Sequence, residues 1–242
     1  MQDRYAGDIG DYGKIGLLKC LQARGFTIGV NWYRVSTLES EKKTDGTFKQ
    51  KDGKHLIPDR LKACDPFLAD TLTKIAISSN RSVKAIQDEK LVPNAVYYDE
   101  YLTLEGRFEW HKKAMKMFEN VELVFMDPDN GLLVKSVGKR SARSIKYVFY
   151  EEVKDFIQSG KSVLVYNHRC RKPEREYFDD IENRLQKYVI EDKGEEIQEI
   201  TFLRGTIRDY FAIPACKEHS DLFHAAFAEM KNSNWGHLGV CK

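Results

Sequence analysis

Short apolar runs alternate with amphipathic segments along most of this sequence, until two apolar runs follow one another with only Arg204-Gly205-Thr206 between them. No other feature constrains the fold as much. Repeated strand–helix–strand units build a mostly parallel sheet, because a parallel pair needs a crossover and a helix is its usual form. The final connector is too short for a crossover, so the last pair is expected to be antiparallel. The expectation is one α/β domain over 1–242, with helices on both faces of one sheet and a C-terminal antiparallel strand pair.

The elements can be placed by period and punctuation. A helix follows the opening Arg4-Tyr5-Ala6-Gly7-Asp8-Ile9-Gly10-Asp11-Tyr12-Gly13-Lys14, with Ile15, Leu18 and Leu21 as its stripe and Gly25 as its stop. Asp8 or Asp11 is suited to cap it. Strands are expected within 26–35, 95–98, 121–126, 163–166, 197–203 and 209–213. Asp65-Pro66 reads as a cap followed by proline at the first helical position. Further helices are expected at 82–90, 107–120, 147–157, 173–188 and 219–230. In 107–120 the inward side chains are expected to be Phe108, Ala114, Met115 and Phe118. The charged segment 40–54 has no apolar period and reads as an exposed loop.

Composition excludes several classes. Hydrophobic content of 42% and charged content of 31% over 242 residues fit a folded globular chain. No apolar run is long enough for a membrane helix, and the opening is polar and glycine-rich, unlike a targeting peptide. A cytoplasmic protein without a membrane partner is therefore expected. The five cysteines form no C-x-x-C pair, which argues against a zinc knuckle or a disulfide framework. Net charge is only +2, but basic residues cluster at Lys135, Lys139, Arg140, Arg143 and Lys146, and again at Arg169, Arg171, Lys172 and Arg175. Each cluster is either a solvated surface or a face that meets phosphates.

Ligands of open α/β sheets bind beyond the carboxyl ends of the strands. Three such ends carry polar groups: Asp99 and Glu100, then Asp127-Pro128-Asp129-Asn130-Gly131, then Asn167 to Arg171, with His168 beside Arg169 and Arg171. The second is the sharpest, because a buried apolar strand runs straight into two carboxylates. Charge at the edge of a core needs a cation, a metal or a ligand, although an ordinary Asx turn would use the same residues. Two carboxylates so close should repel each other, so Asp127→Asn is expected to leave stability unchanged or slightly higher. His168 is a candidate base or phosphate ligand beside arginines. At the opening, Asp8, Asp11 and Lys14 surround a glycine-permitted turn at a helix start, able to face an anion or a metal; a plain capped helix is the alternative.

An apolar strand followed by Asp127-Pro128, then helix–strand units and a closing strand pair, resembles the class I S-adenosylmethionine-dependent methyltransferases of the ribosomal RNA adenine type. That resemblance implies a Rossmann-like, methyltransferase-like fold. It implies that Asp127 and Pro128 position an acceptor amino group on a nucleobase or nucleic acid, and that Asp99 or Glu100 holds the ribose of S-adenosylmethionine. Asp129 and Asn130 stand where that family's motif has a second proline and an aromatic residue, and Thr27-Ile28-Gly29-Val30-Asn31-Trp32 lacks its glycine-rich turn. The chain is also similar, over most of its length, to a group of bacterial proteins that share Gly-Asp-x-Gly-Asp-x-x-Lys and Asp-Pro-Asp-Asn-Gly; that likeness carries no activity with it.

These residues are compatible with three functions. One is a methyltransferase-like enzyme with Asp127, Pro128, Asp129, Asn130 and His168 at the chemistry and Asp8, Asp11, Lys14, Asp99 and Glu100 around the cofactor. A second is a phosphodiesterase or a nucleotide- or sugar-transferring enzyme that holds Mg2+ or Mn2+ on the D-x-D of Asp127 and Asp129 with Asp8 or Asp11. The third is a binding module that has kept the fold without the catalysis.

Overall fold

The computed structural model describes residues 1–36, 55–190, 195–203 and 206–242. The expected loop at 40–54 and part of the connector at 204–206 lie outside the described residues.

The central sheet is built from β1 (Ile28–Asn31), β2 (Val96–Tyr98), β3 (Leu123–Met126), β6 (Ser162–His168), β7 (Gln198–Phe202) and β8 (Arg208–Ile213). Between β3 and β6 the chain makes a small separate parallel pair, β4 (Gly131–Leu132) with β5 (Tyr147–Val148). The order across the central sheet is β2-β1-β3-β6-β8-β7. β2, β1, β3 and β6 are mutually parallel, and β8 runs antiparallel to both of its neighbours. The α/β class, the mostly parallel sheet and the antiparallel closing pair thus agree with the sequence pattern. The strands are shorter than their apolar runs, apart from β6, which continues through His168, and β8, which starts one residue earlier at Arg208.

Alternation along each strand sends successive side chains to opposite faces, and each face is covered. Leu123 and Phe125 of β3 point into one core with Ile15 and Leu18 of α1 (Ile9–Ala23), Leu72 of α2 (Pro66–Ile77), Ile86 of α3 (Val83–Asp88) and Phe223 of α7 (Lys217–Asn232). Trp235, in the short α8 (Asn234–His237), joins that layer. Val124 and Met126 point the other way, into a core with Trp110 of α4 (Arg107–Met117), Phe156 of α5 (Tyr150–Gln158) and Ile181 of α6 (Glu174–Leu185).

The helix starts obey their capping chemistry. The Asp65 side chain accepts from the Leu68 amide at 3.0 Å, with Pro66 in the first turn, and Ser82 caps α3 through the Ala85 amide. In α4 the expected inward stripe needs correction. Phe108 is 76% exposed, and Arg107 and Trp110 are buried instead. Arg107 can lie inside because its guanidinium donates to both oxygens of buried Glu152, at 2.6 and 2.7 Å, and its head group lies over the Phe149 ring. Ala114 and Phe118 do face the core and Met115 packs against it, so the expected stripe holds except at Phe108.

Two features of the topology shape the edge where the parallel strands end. β1 leads to β2 on one side, and β3 then lands on the other side of β1, which makes a switch point between β1 and β3. In addition, antiparallel β8 brings its first residue, not its last, to this edge.

Candidate functional site

At that edge a cavity of about 380 Å³ opens over β3, β6 and β8, on the face that α1 covers. Its lining includes Asp8, Asp11 and Lys14 from the start of α1, Asp127 to Asn130 after β3, and Tyr166, His168 and Arg208. The opening motif therefore does reach the rim where β3 and β6 end. Asp127, Tyr166, His168 and Arg208 share one face of the sheet: Phe125, Tyr166 and Tyr210 lie in the α1-side core, and His168 is the cross-strand partner of Arg208.

The floor of the cavity is a buried charge cluster. Asp8 is the N-cap of α1 and accepts from the amides of Gly10, at 2.7 Å, and Asp11, at 3.1 Å. Asp11 accepts from the Gly7 amide and from the Lys14 ammonium, each at 2.8 Å. The same ammonium donates to Asp127 at 2.6 Å and lies 5.4 Å from the Trp32 ring centre. Burial alone would lower the Lys14 pKa, but the carboxylates of Asp11 and Asp127 outweigh it and hold the lysine firmly charged. For Asp127 burial wins over the attraction of Lys14, so its carboxyl sits above the usual range. Both directions describe one pair: the lysine has two anions to serve, and each anion has a share of one cation. Asp8 is also raised, by burial and by Asp11, against the pull of Arg208.

Asp129 faces elsewhere. It accepts from the Gln2 side chain, lies 4.0 Å from the Lys146 ammonium and 3.2 Å from the Met1 amine. Burial would raise it, but these partners outweigh burial and lower it. Asp127 is thus served by Lys14 and Asp129 by Gln2 and Lys146, with the Met1 amine near both, so each carboxylate has compensating donors. The turn itself is clamped: Asn130 donates to the Lys146 carbonyl and accepts from the His168 amide. Gly131 has φ +113°, and a Cβ there would fall 1.9 Å from the Asn167 Oδ1 that accepts from the Leu132 amide.

His168 is exposed at the end of β6. Its partial burial, and then Arg208 beside it, push its pKa below the ordinary histidine value, with Asp209 opposing. The imidazole is thus neutral at pH 7 and able to accept a proton. Arg208 lines the cavity above Gly10, where an added Cβ would lie 2.8 Å from its Nε, and stands 3.9 Å from Asp8.

Other expected site residues fall outside. Asp99 and Glu100 do end β2 at the same rim, but neither lines the cavity. Glu100 accepts from Lys113 at 2.8 Å, and Asp99 lies 4.0 Å from Arg34. Arg169 is engaged within the fold, donating to both oxygens of fully buried Asp209. The cavity also recruits Lys146, from the first basic cluster of the sequence, and Arg208, Arg4 and Tyr166, which sequence reasoning did not single out. One signal was available for Arg208: an antiparallel closing strand starts at the rim where its parallel neighbours end.

The resemblance to methyltransferases implies a cofactor beyond β1, with its ribose on the acidic residue after β2. Trp32 and Tyr33, which come directly after β1, are buried, and their carbonyls accept from the Met1 amine at 3.0 and 3.1 Å. No glycine cradle is present there, and the β2 carboxylates are turned to Lys113 and Arg34. These residues do not fit S-adenosylmethionine. For a divalent ion, among the described residues no group of three or more His, Cys, Asp or Glu is arranged to hold one. No described helix is long and apolar enough to cross a membrane.

The chain matches no known protein-family model, and no curated protein matches it. The class that can be stated is an α/β protein with a mostly parallel central sheet and a cavity lined by charged side chains at the carboxyl ends of its strands.

Proposed function

We propose that this protein is an enzyme that binds a nucleotide in the cavity beyond β3, β6 and β8 and carries out group transfer on it. One observation carries the reading: Arg4, Lys146, Arg208 and His168 line the same cavity at the switch-point edge, above a floor whose carboxylate Asp127 is already served by Lys14. Cations at the mouth suit phosphate oxygens. The volume of about 380 Å³ falls in the range of small-ligand sites. His168, neutral at pH 7, takes the proton of a hydroxyl or amine nucleophile. Asp127 acts through Lys14 and the turn, as a positioning residue. This departs from the methyltransferase expectation, in which Asp127 itself holds the acceptor.

The test is a thermal-shift series with ATP, GTP, S-adenosylmethionine, S-adenosylhomocysteine, Mg2+ and Mn2+. A nucleotide at a hundred times its Kd should add about 2.7 kcal/mol of stability. Arg208→Gln should abolish that shift, and His168→Gln should retain it. A shift with S-adenosylmethionine or S-adenosylhomocysteine and none with nucleotides would return the protein to the methyltransferase reading.

A further inference from the structure

The two basic clusters of the sequence meet different fates in the fold. In the second, Arg169 is bound to Asp209 and Glu174, Lys172 lies between Glu176 and Asp180, and Arg175 faces Asp179. Much of that charge is spent within the molecule. The first cluster lies on the excursion from β4 to β5, residues 133–146, which contains Lys135, Lys139, Arg140, Arg143 and Lys146 and no acidic residue. Lys139 pairs with Glu151. Lys135, Arg140 and Arg143 are exposed and make no ion pair among the described residues.

The excursion is built rather than loose. Val137, Ser144 and Ile145 are buried. The Ser144 hydroxyl donates to the Lys139 carbonyl at 2.9 Å, and Arg107 donates to the Ser144 carbonyl. Arg184 holds the Leu133 carbonyl at 3.2 Å. Both ends are fixed at the cavity: β4 pairs with β5, and the Asn130 amide donates to the Lys146 carbonyl at 3.0 Å. Lys146 itself lines the cavity. The excursion thus carries exposed Lys135, Arg140 and Arg143 on a fixed frame and ends in Lys146 in the cavity lining, an arrangement suited to a ligand that continues beyond its pocket as a chain of phosphates.

We infer that the substrate nucleotide belongs to a single-stranded nucleic acid, whose neighbouring phosphates are held by Lys135, Arg140 and Arg143 while one nucleotide enters the cavity. A single strand suits the arrangement because a nucleotide within a duplex would first have to be turned out to reach an enclosed site. The inference rests on the nucleotide reading above.

The test uses the full chain and fluorescein-labelled oligo(dT) and oligo(U), followed by anisotropy over a range of salt concentrations. Binding should weaken linearly in log K against log salt. In Lys135→Gln/Arg140→Gln/Arg143→Gln the slope should shrink by about 2, at roughly 0.7 per lost phosphate contact, while the ATP or GTP thermal shift stays unchanged. Arg171→Gln/Arg175→Gln serves as the control and should bind as the wild type does. The inference is overturned if neither oligonucleotide binds, if the triple variant binds with an unchanged slope, or if the control weakens binding equally. The nucleotide reading fails separately, by loss of the thermal shift in the unaltered protein.

Discussion

Replacing Lys14 by methionine removes the ammonium that bridges Asp11 and Asp127 and keeps most of the side-chain volume. Lys14, Asp11 and Asp127 have side chains 6%, 2% and 4% exposed, so little water can take the place of the ammonium. Removing one partner of a buried ion pair costs about 3–5 kcal/mol, because the other is left charged and unsolvated. Two carboxylates are stranded here, which places the expectation toward the upper end. For 242 residues the unfolding entropy is roughly 0.5 kcal/mol per kelvin, so Tm should fall by about 6–10 °C. The loss should also depend on pH. A stranded carboxyl binds its proton more tightly folded than unfolded, so its folded pKa is raised. Such a group adds stability as pH falls toward that pKa and loses it as pH rises through it. Lys14→Met should therefore recover part of its deficit between pH 7 and pH 5. Urea unfolding followed by circular dichroism at the two pH values measures both quantities. A loss below about 1 kcal/mol, or a deficit that stays constant with pH, would show that the cluster is not held by this lysine. Asp127→Asn should be milder, about 1–3 kcal/mol, because Asp11 still faces the ammonium; this replaces the neutral or stabilising effect expected from the sequence.

Two further outcomes concern His168 and Gly16. Because partial burial and Arg208 depress the His168 pKa, NMR titration should find it below the usual value near 6.5, and Arg208→Gln should move it upward. A depressed pKa also means that the stability contributed by neutral His168 is present above the unfolded value and drains away as pH falls through the folded one; an unshifted titration refutes the contact. Gly16→Ala places a Cβ 2.4 Å from the Trp235 ring, so calorimetry should show a loss of about 1–3 kcal/mol from overpacking, against a helix-propensity gain of about 1 kcal/mol; a net rise in Tm would mean that the ring moves aside without cost.

The fold was legible where it depends on local chemistry. The Asp8, Asp65 and Ser82 caps use side-chain acceptors at helix starts, and the short final connector fixed the direction of β8. The pairing of Lys14 with Asp127 was not legible, since it joins residues far apart in sequence through the landing of β3 beside β1. Both motifs were visible as motifs, but the partner of each was hidden. The glycine spacing of the opening illustrates this. Gly10 and Gly13 read as part of a permissive turn, yet they lie inside α1 with Gly16, and Cβ atoms at the three positions would collide with Arg208, Phe202 and Trp235. Their purpose is close approach of the helix to the closing strands, which only the assembled fold displays. Phe108 of α4 was misplaced for a related reason: a buried arginine next to it looks exposed until Glu152 is placed against it.

That glycine-lined contact also bears on how the protein acquires its site. It brings residues 10–16 against residues 202–235, a separation nearly as long as the chain. Closing so large a loop is slow and is rewarded only when the intervening strands have already ordered. Arg208 is therefore expected to reach Gly10 and Asp8 late in folding, after β3 and β6 have brought Asp127 and His168 to the edge. A fragment lacking either end has the central strands without the cavity. Ligand capture should then appear in refolding experiments as the last kinetic event, and binding should slow global unfolding rather than protect one segment, because the first and last structured elements separate together.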